Sequence, residues 1–550
     1  MAESSAAHEH HPSGSLKETL TSITIAFAVA FIFRAFVIEA YVIPTGSMAP
    51  TLMGAHVRMH DDQTGEDWPV NYDATYGAQV MSTSGKTFHS PSTGTEVTAP
   101  RPFTKKNVRW GDRILVEKFL PFTPGPKRFD VVVFKAPHQP FENYIKRLIG
   151  LPHELVALVD GDVFVRKDDK ATPPGGDYWS LDGWQIQRKP ERVQRAVWQL
   201  VFDSRLVPLQ PTRDGRRWFK TPWTGDTSWD TSKSAYTYSG SGATELIWDD
   251  TIMSIDDAYP FNEDRSGHPV FPVSDIRMVA SIRPENAGLA TSAVIEARQH
   301  EFRMDISGDT KGRTVTLRMR SAPKAVEGSG EPDPTPGDWV EMATAKLSSS
   351  TLAPGKPTVV EFWHVDQSLQ AWVNGKKIAS AEYNWQPHER ADNATTTSRP
   401  HRVQNTPLKD GSVYRRPHIR WEFDKGPLTV EYAVVERDLH YQAPPTASRA
   451  RATHPRFPAV TGKDGYFFCG DNSPGSLDCR LFGLDGNELV NPWVPYTVDG
   501  ANTPFDERVK DGIVPGDLLL GRAFFVYLPS IERFMGSAPV IDFGRMRWIW

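Results

Sequence analysis

A chain of 550 residues is longer than one ordinary domain, and 39% hydrophobic with 11% aromatic residues supplies material for large cores. A formal net charge of -5 over that length leaves no basic field of the kind nucleic acid binding requires. Gly 41 and Pro 45, with many Asp and Asn between short apolar runs, point to a turn-rich, mainly β architecture rather than to helical bundles.

Residues 1–15 read as a disordered tail. His8, His10 and His11 within it sit among Ser, Ala and Glu, the pattern of a solvated terminus rather than a metal site. From 16 the chain turns apolar. The uninterrupted part, Ile23 to Phe33, is too short for a bilayer, which needs roughly 20 residues. Adding Leu20 and Thr21 before it and Ala35-Phe36-Val37-Ile38 after it gives a full span, with Arg34 able to snorkel to the headgroups. We therefore expect a retained transmembrane anchor over 16–40. A cleaved signal peptide is the competitor, but residues 1–15 hold no lysine or arginine for a basic n-region.

Directly after this stretch comes Pro44-Thr45-Gly46-Ser47-Met48-Ala49-Pro50-Thr51-Leu52. A serine beside glycine, just past an apolar helix, is well placed for a nucleophile at a bilayer surface. Residues 57–106 are polar and Gly/Ser/Thr-rich, and read as a long loop or small surface subdomain. Gly111 to Phe119 and Arg128 to Phe134 are rich in β-branched residues and read as strands.

Next is Asn143-Tyr144-Ile145-Lys146-Arg147-Leu148-Ile149-Gly150-Leu151-Pro152. As a strand over 143–150 it sets Tyr144, Lys146 and Leu148 on one face and Ile145, Arg147 and Ile149 on the other. Lys146 then points inward, and Arg147 meets solvent or a carboxylate. Serine needs a base to take its proton and donors for the developing oxyanion. No histidine here lies in a recognisable nucleophile-elbow pattern. Lysine can replace it when burial disfavours the ammonium and lowers the pKa.

The stretch 166–459 is long enough for a domain of its own. Val315, Leu317 and Met319 alternate with Thr316, Arg318 and Arg320, as in a half-buried strand. Leu369, Ala371 and Val373 alternate before Asn374-Gly375, a hairpin signal, with Lys376 to Ser380 returning. Thr358 to Ser380 and Leu428 to Tyr441 are similar to concanavalin/laminin-G-like β-sandwiches. Trp363 and Trp372 read as core residues, or else as platforms for stacking a sugar. The last motif runs Gly470-Asp471-Asn472-Ser473 through Ser476, Asp478 and Arg480, flanked by Cys469 and Cys479. It reads locally as a tight turn joining two strands. The two cysteines read either as one disulfide or as two buried thiols.

Together the three motifs resemble the type I signal peptidases, membrane-anchored serine–lysine proteases that remove secretory leader peptides. The resemblance covers roughly 16–56, 107–165 and 460–550. It implies an antiparallel β catalytic core, formed by 41–165 and 460–550, interrupted by the inserted domain 166–459. It implies Ser47 as nucleophile, Lys146 as base, and an oxyanion hole from the Thr45 hydroxyl and the Ser47 N–H. Ser476 is implied to hydrogen-bond and orient the lysine, and Asp478 with Arg480 to form a structural ion pair near Gly470, Asp471 and Asn472. Thr45 replaces the family's serine and keeps a hydroxyl; Cys479 replaces another serine. Phe129 stands where the family usually has glycine, which questions the local turn. Gly46 would let a substrate backbone approach closely.

By this resemblance the substrates are signal peptides of exported preproteins, cut after small residues, and neither cofactor nor metal is needed. The protein would sit in the cell membrane as a single-pass chain, its catalytic part on the extracytoplasmic side. The insertion could take a glycan or a protein ligand. The other function class is a membrane-anchored β-sandwich scaffold whose catalytic part has been retired; replacement of Ser47, Lys146 or Ser476 would have favoured it, and all three are present.

Overall fold

The computed structural model describes residues 16–72, 87–99, 108–119, 124–137, 139–213, 216–265, 270–309, 312–322, 336–396, 408, 410–442, 450–482, 484, 496–498, 501–503, 512–529, 531–534, 538–541 and 543–550. The histidines of the leading tail lie outside them. The chain is mainly β after one N-terminal helix.

That helix, Leu16–Phe36, is 21 residues long, and its apolar window is not buried among the described residues. At 1.5 Å per residue it is about 31 Å long, the thickness of a bilayer's hydrocarbon layer. It stops two residues short of Ile38, because Ile38–Val42 is a strand that pairs antiparallel with Arg113–Lys118. Lys118 Nζ ties the joint by donating to the Ala35 carbonyl at 2.9 Å and pairing with Glu39 at 2.9 Å. A cation at a helix C-terminus also meets the negative end of its dipole.

The sheet that follows runs, in spatial order, Ile38–Val42, Arg113–Lys118, Leu519–Leu528, Val131–Ala136, Gln139–Gly150, Gly465–Cys469 and Val514–Pro515. The first and last parts of the chain thus interleave in one antiparallel layer. One side of it packs on Ile43, Met48, Leu52, Ile114, Val131, Ile145 and Val526. The other packs on Val132, Phe134, Leu148, Phe467, Phe468 and Cys469. A smaller sheet, Gln185–Ile186, Asp162–Lys167, Glu154–Val159 and Ala459–Val460, adjoins it. The expected boundary at 165/166 therefore falls inside a strand.

The described residues between 56 and 109 form a small subdomain, the second of the two readings. His56–Asp61 pairs with Glu66–Asn71 and with Val108–Arg109, over a core of Val57, Met59, Trp68, Val70 and Phe88. The alternation of Val57 and Met59 with polar neighbours is only one six-residue strand long, which the surrounding Gly, Ser and Thr obscure.

The insertion is a two-sheet sandwich. One sheet contains Gln199–Asp203, Ile276–Pro284, Leu428–Arg437, Thr358–Val365, Ser368–Val373 and Lys376–Glu382; the other contains Ala290–Ala297, His300–Asp309, Gly312–Ser321, Val340–Leu347 and His418–Asp424. Their inner faces share one core, including Met278, Ile295, Phe302, Leu317, Phe362, Leu369 and Trp421. The hairpin at Asn374-Gly375 has φ of 48° and 74°, the two left-handed residues that a tight turn between twisted strands needs. Trp363 and Trp372 are buried and stack on each other, with Arg195 over both rings, so they are core residues rather than sugar platforms.

Sandwich and catalytic layer meet at a buried ionic node. Asp160 and Asp162, at the turn of the small sheet, face Arg298, Arg390, Asp275 and Asp366 of the insertion. Lys189 bridges Asp366 and Asp438 at 2.6 and 2.8 Å. Burying this many charges is tolerable only because each cation meets carboxylates at close range.

Candidate functional site

Ser47 sits on a tight turn just beyond Ile43. Ala49 N–H donates to the Gly46 carbonyl at 3.0 Å and Leu52 N–H to the Met48 carbonyl at 2.9 Å, so the apolar Met48 and Leu52 anchor the turn in the core. Lys146 lies on Gln139–Gly150, opposite Val132 of the next strand. Its Nζ is 2.7 Å from Ser47 Oγ and donates to the Ile145 carbonyl at 3.1 Å. The lysine is 4% exposed. Burial brings its pKa down to about 8, against the pull of Asp478 and Asp471, while Arg480 adds to the lowering. Tyr144, whose ring lies 5.1 Å from Nζ, walls the same space.

Arg147, the next residue, does not reach solvent. Of the two outcomes open for it, it meets a carboxylate: Nε and Nη2 donate to Asp471 at 2.7 and 2.6 Å, and Nη1 donates to the Phe129 and Trp550 carbonyls. Both faces of this central strand are covered, which alternation alone does not reveal. Thr51 also donates its hydroxyl to Asp471, so the nucleophile's turn is tied to the third motif. Burial opposes Arg147's charge, but Asp471 outweighs it and the pKa is raised.

Within the third motif, Arg480 forks onto Asp478, with Nε and Nη2 at 2.9 and 2.7 Å. Asp478 also accepts from the Gly470 N–H at 2.9 Å. Burial would raise the Asp478 carboxyl, yet Arg480 prevails and holds it low. Asn472 grips the nucleophile turn: its N–H donates to the Ser47 carbonyl at 3.1 Å and its Nδ2 to the Gly46 carbonyl at 3.0 Å.

One expectation needs correction. Ser476 is buried near Gly470, but its hydroxyl makes no hydrogen bond to Lys146; the lysine is held instead by Ser47 and its own strand's carbonyl. At Gly46 the side-chain direction is filled: a Cβ there would lie 2.1 Å from the ring of Phe261, an aromatic of the insertion, while Gly46 itself lines the cleft. Cys469 and Cys479 are buried free thiols, the second of their two readings, and burial raises both pKa values.

A cleft of about 260 Å³ opens at the pair, lined by Thr45, Ser47, Lys146, Tyr144 and Asn472. Thr45 is exposed in it. Asn71 and Tyr72 of the small subdomain and Asn262 of the sandwich also line it. Sequence reading missed these three, which lie in the polar segment 57–106 and in the inserted domain. Elsewhere, Asp162, Asp275 and Asp366 bring carboxylate oxygens close enough for a metal ion. Arg390, Arg298 and Lys189 already supply positive charge there, at 3.1, 2.7 and 2.6 Å respectively.

Residues 16–74 and 93–195 match the family model described as signal peptidase, peptidase S26. These two segments are similar to the signal peptidase family. They hold both Ser47 and Lys146, while the third motif lies beyond the matched residues. Signal peptidase I of Rickettsia typhi is 23% identical over 194 residues, covering 35% of this chain and 59% of that protein. Signal peptidase I of Rickettsia bellii is 24% identical over 188 residues, covering 34% and 52%. The chain thus spans between half and three fifths of these signal peptidases. Among solved structures, the carbohydrate-binding module CBM66 from Bacillus subtilis aligns at a TM-score of 0.20 and 9% identity, over 40% of this chain and 93% of that one. Caenorhabditis elegans galectin LEC-6 aligns at 0.17 and 14%, over 30% and 86%. The sandwich described above rests on its own two sheets and shared core.

Proposed function

We propose that the protein is a membrane-anchored serine endopeptidase that removes signal peptides from exported preproteins. The observation that carries this is the contact of Ser47 Oγ with Lys146 Nζ at 2.7 Å, with the lysine buried and its pKa brought to about 8. Neutral Lys146 takes the Ser47 proton as Oγ attacks the scissile carbonyl. The oxyanion is received by the Ser47 N–H and the Thr45 hydroxyl. As the tetrahedral adduct collapses to an acyl-enzyme, the ammonium of Lys146 gives its proton to the departing amine. Neutral again, the lysine draws a proton from the water that releases the acyl group.

The apolar helix Leu16–Phe36 would hold this site at a bilayer, with the catalytic part on the extracytoplasmic side. The family resemblance supports cleavage after small residues. Gly470, Asp471, Asn472, Asp478 and Arg480 act as its frame. In the sandwich, a polar groove of about 770 Å³ lined by Asp226, Glu245, Arg303, Asp305 and Glu422 is the place for a glycan or protein ligand.

The test is preprotein cleavage by the full chain in detergent, comparing wild type with Ser47→Ala and Lys146→Ala. Product beginning directly after a small residue, made by wild type and by neither folded variant, supports the proposal. Undiminished cleavage by either variant overturns the assignment of the pair.

A further inference from the structure

Pro260–Arg265, a short helical turn of the insertion, enters the catalytic layer beside the nucleophile. Phe261 is fully buried, packed with Ala49, Met53 and Tyr259. Its ring occupies the place of a Gly46 side chain. The next residue, Asn262, forms a reciprocal amide pair with Asn472. Asn262 Nδ2 donates to Asn472 Oδ1 at 2.6 Å, and Asn472 Nδ2 donates to Asn262 Oδ1 at 3.0 Å.

This pairing decides which way the Asn472 amide faces. With Oδ1 engaged by Asn262, the NH2 end is left with one proton for Asn262 Oδ1 and one for the Gly46 carbonyl. That carbonyl belongs to the same planar peptide unit as the Ser47 N–H, and in a trans peptide the two point in opposite directions. Holding the Gly46 oxygen toward Asn472 therefore turns the Ser47 N–H away from it. The backbone of Asn472 holds the next carbonyl, that of Ser47, so the peptide is fixed on both sides. No acceptor among the described residues takes the Ser47 N–H.

We propose that Asn262 is a positioning residue for the reaction at Ser47, acting through Asn472 to orient the Ser47 N–H that receives the oxyanion. The insertion is then a working part of the active centre and not a passenger on it. The inference rests on the peptidase reading of Ser47, and it gives a role to a residue more than 200 positions away from the turn it serves.

The test compares the full-length wild type with Asn262→Ala and Asn262→Asp in detergent. The Ala variant removes the amide pair; the Asp variant keeps an acceptor and removes the donor to Asn472 Oδ1. A preorganised oxyanion donor contributes roughly 100-fold or more to kcat, so its partial misorientation should lower kcat about tenfold. KM should stay unchanged, so that kcat and kcat/KM fall together. The pH midpoint set by Lys146 should also stay in place in the Ala variant. Amide hydrogen exchange over 44–52, read by mass spectrometry, should speed up in both variants while the sandwich strands keep their protection. A loss confined to KM, a moved pH midpoint, or exchange and kcat both as in wild type would overturn the proposal. Cleavage undiminished by Ser47→Ala would instead sink the reading of Ser47 as nucleophile, and the exchange measurement, needing no turnover, would still decide whether Asn262 holds the turn.

Discussion

Arg147 and Asp471, 324 positions apart, are joined by two parallel hydrogen bonds at 2.7 and 2.6 Å with neither side chain open to solvent. The pair locks the strand that carries the lysine to the motif that holds the serine's turn. Removing one partner leaves an uncompensated buried charge. Arg147→Met or Asp471→Leu alone should therefore lower stability by about 3–5 kcal/mol, and the double variant by distinctly less. Denaturant unfolding of the three variants checks this; equal losses in single and double variants would contradict it.

Lys146 predicts a pH dependence in two readouts. On the proposed mechanism cleavage needs the neutral amine, so kcat/KM should rise as pH passes through about 8 and level off above it. Stability follows the same group. Its pKa falls from an ordinary 10.5 to about 8 on folding, so between those values the unfolded chain binds the extra proton and stability rises with pH. Below about 8 both states are protonated and the burial penalty is constant, on the order of 3 kcal/mol at about 1.4 kcal/mol per pKa unit. Lys146→Met should thus be more stable than wild type at pH 7, and the gap should close toward pH 10. Unfolding midpoints across that range test the sign.

Phe129 is buried with φ of 71°, a backbone region in which a side chain is strained by about 1–2 kcal/mol. A glycine would adopt this φ without that strain. The usual ranking of glycine and alanine should invert here. Phe129→Gly should be less destabilising than Phe129→Ala by about 1 kcal/mol, although it removes more side chain. Both variants lose the buried ring, so the difference between their unfolding free energies is the quantity to measure.

Gly470 allows the third motif to lie against the nucleophile turn. A Cβ there would sit 2.2 Å from Ser476 Oγ and 2.4 Å from the Ser47 carbonyl oxygen. The second of these is backbone and can move only by moving Ser47. Gly470→Ala should lower kcat by roughly 100-fold, the scale of a misplacement near 1 Å, with circular dichroism unchanged. Retained activity would mean that the turn yields without disturbing the serine.

Sequence carried the three motifs because each is local: turn, strand and turn, with their chemistry inside a dozen residues. Period-2 alternation likewise carried Val315, Leu317 and the Asn374-Gly375 hairpin. Two choices stayed open. Alternation places Arg147 opposite Lys146 but says nothing of whether that opposite face is covered, and in a central strand it is. Composition left 57–106 as a long loop or a small surface subdomain, and Met59 and Trp68, which build a core there, decide for the second. Asn262 and Phe261 had no local signature at all, since their meaning arises only from contacts with Asn472 and Gly46. The ionic node of Asp160, Asp162, Arg298 and Arg390 was illegible for the same reason.

Only Val37 separates the helix end at Phe36 from the strand that begins at Ile38, and Lys118 clasps both sides of that joint. On the membrane reading this makes Ile38–Val42 a measuring rod. Five residues at about 3.3 Å each set the turn that bears Ser47 about 17 Å along the strand from the helix end. A substrate tethered in the same bilayer would then be cut at a fixed distance from its own apolar segment, chosen by length as much as by the identity of the residues at the bond.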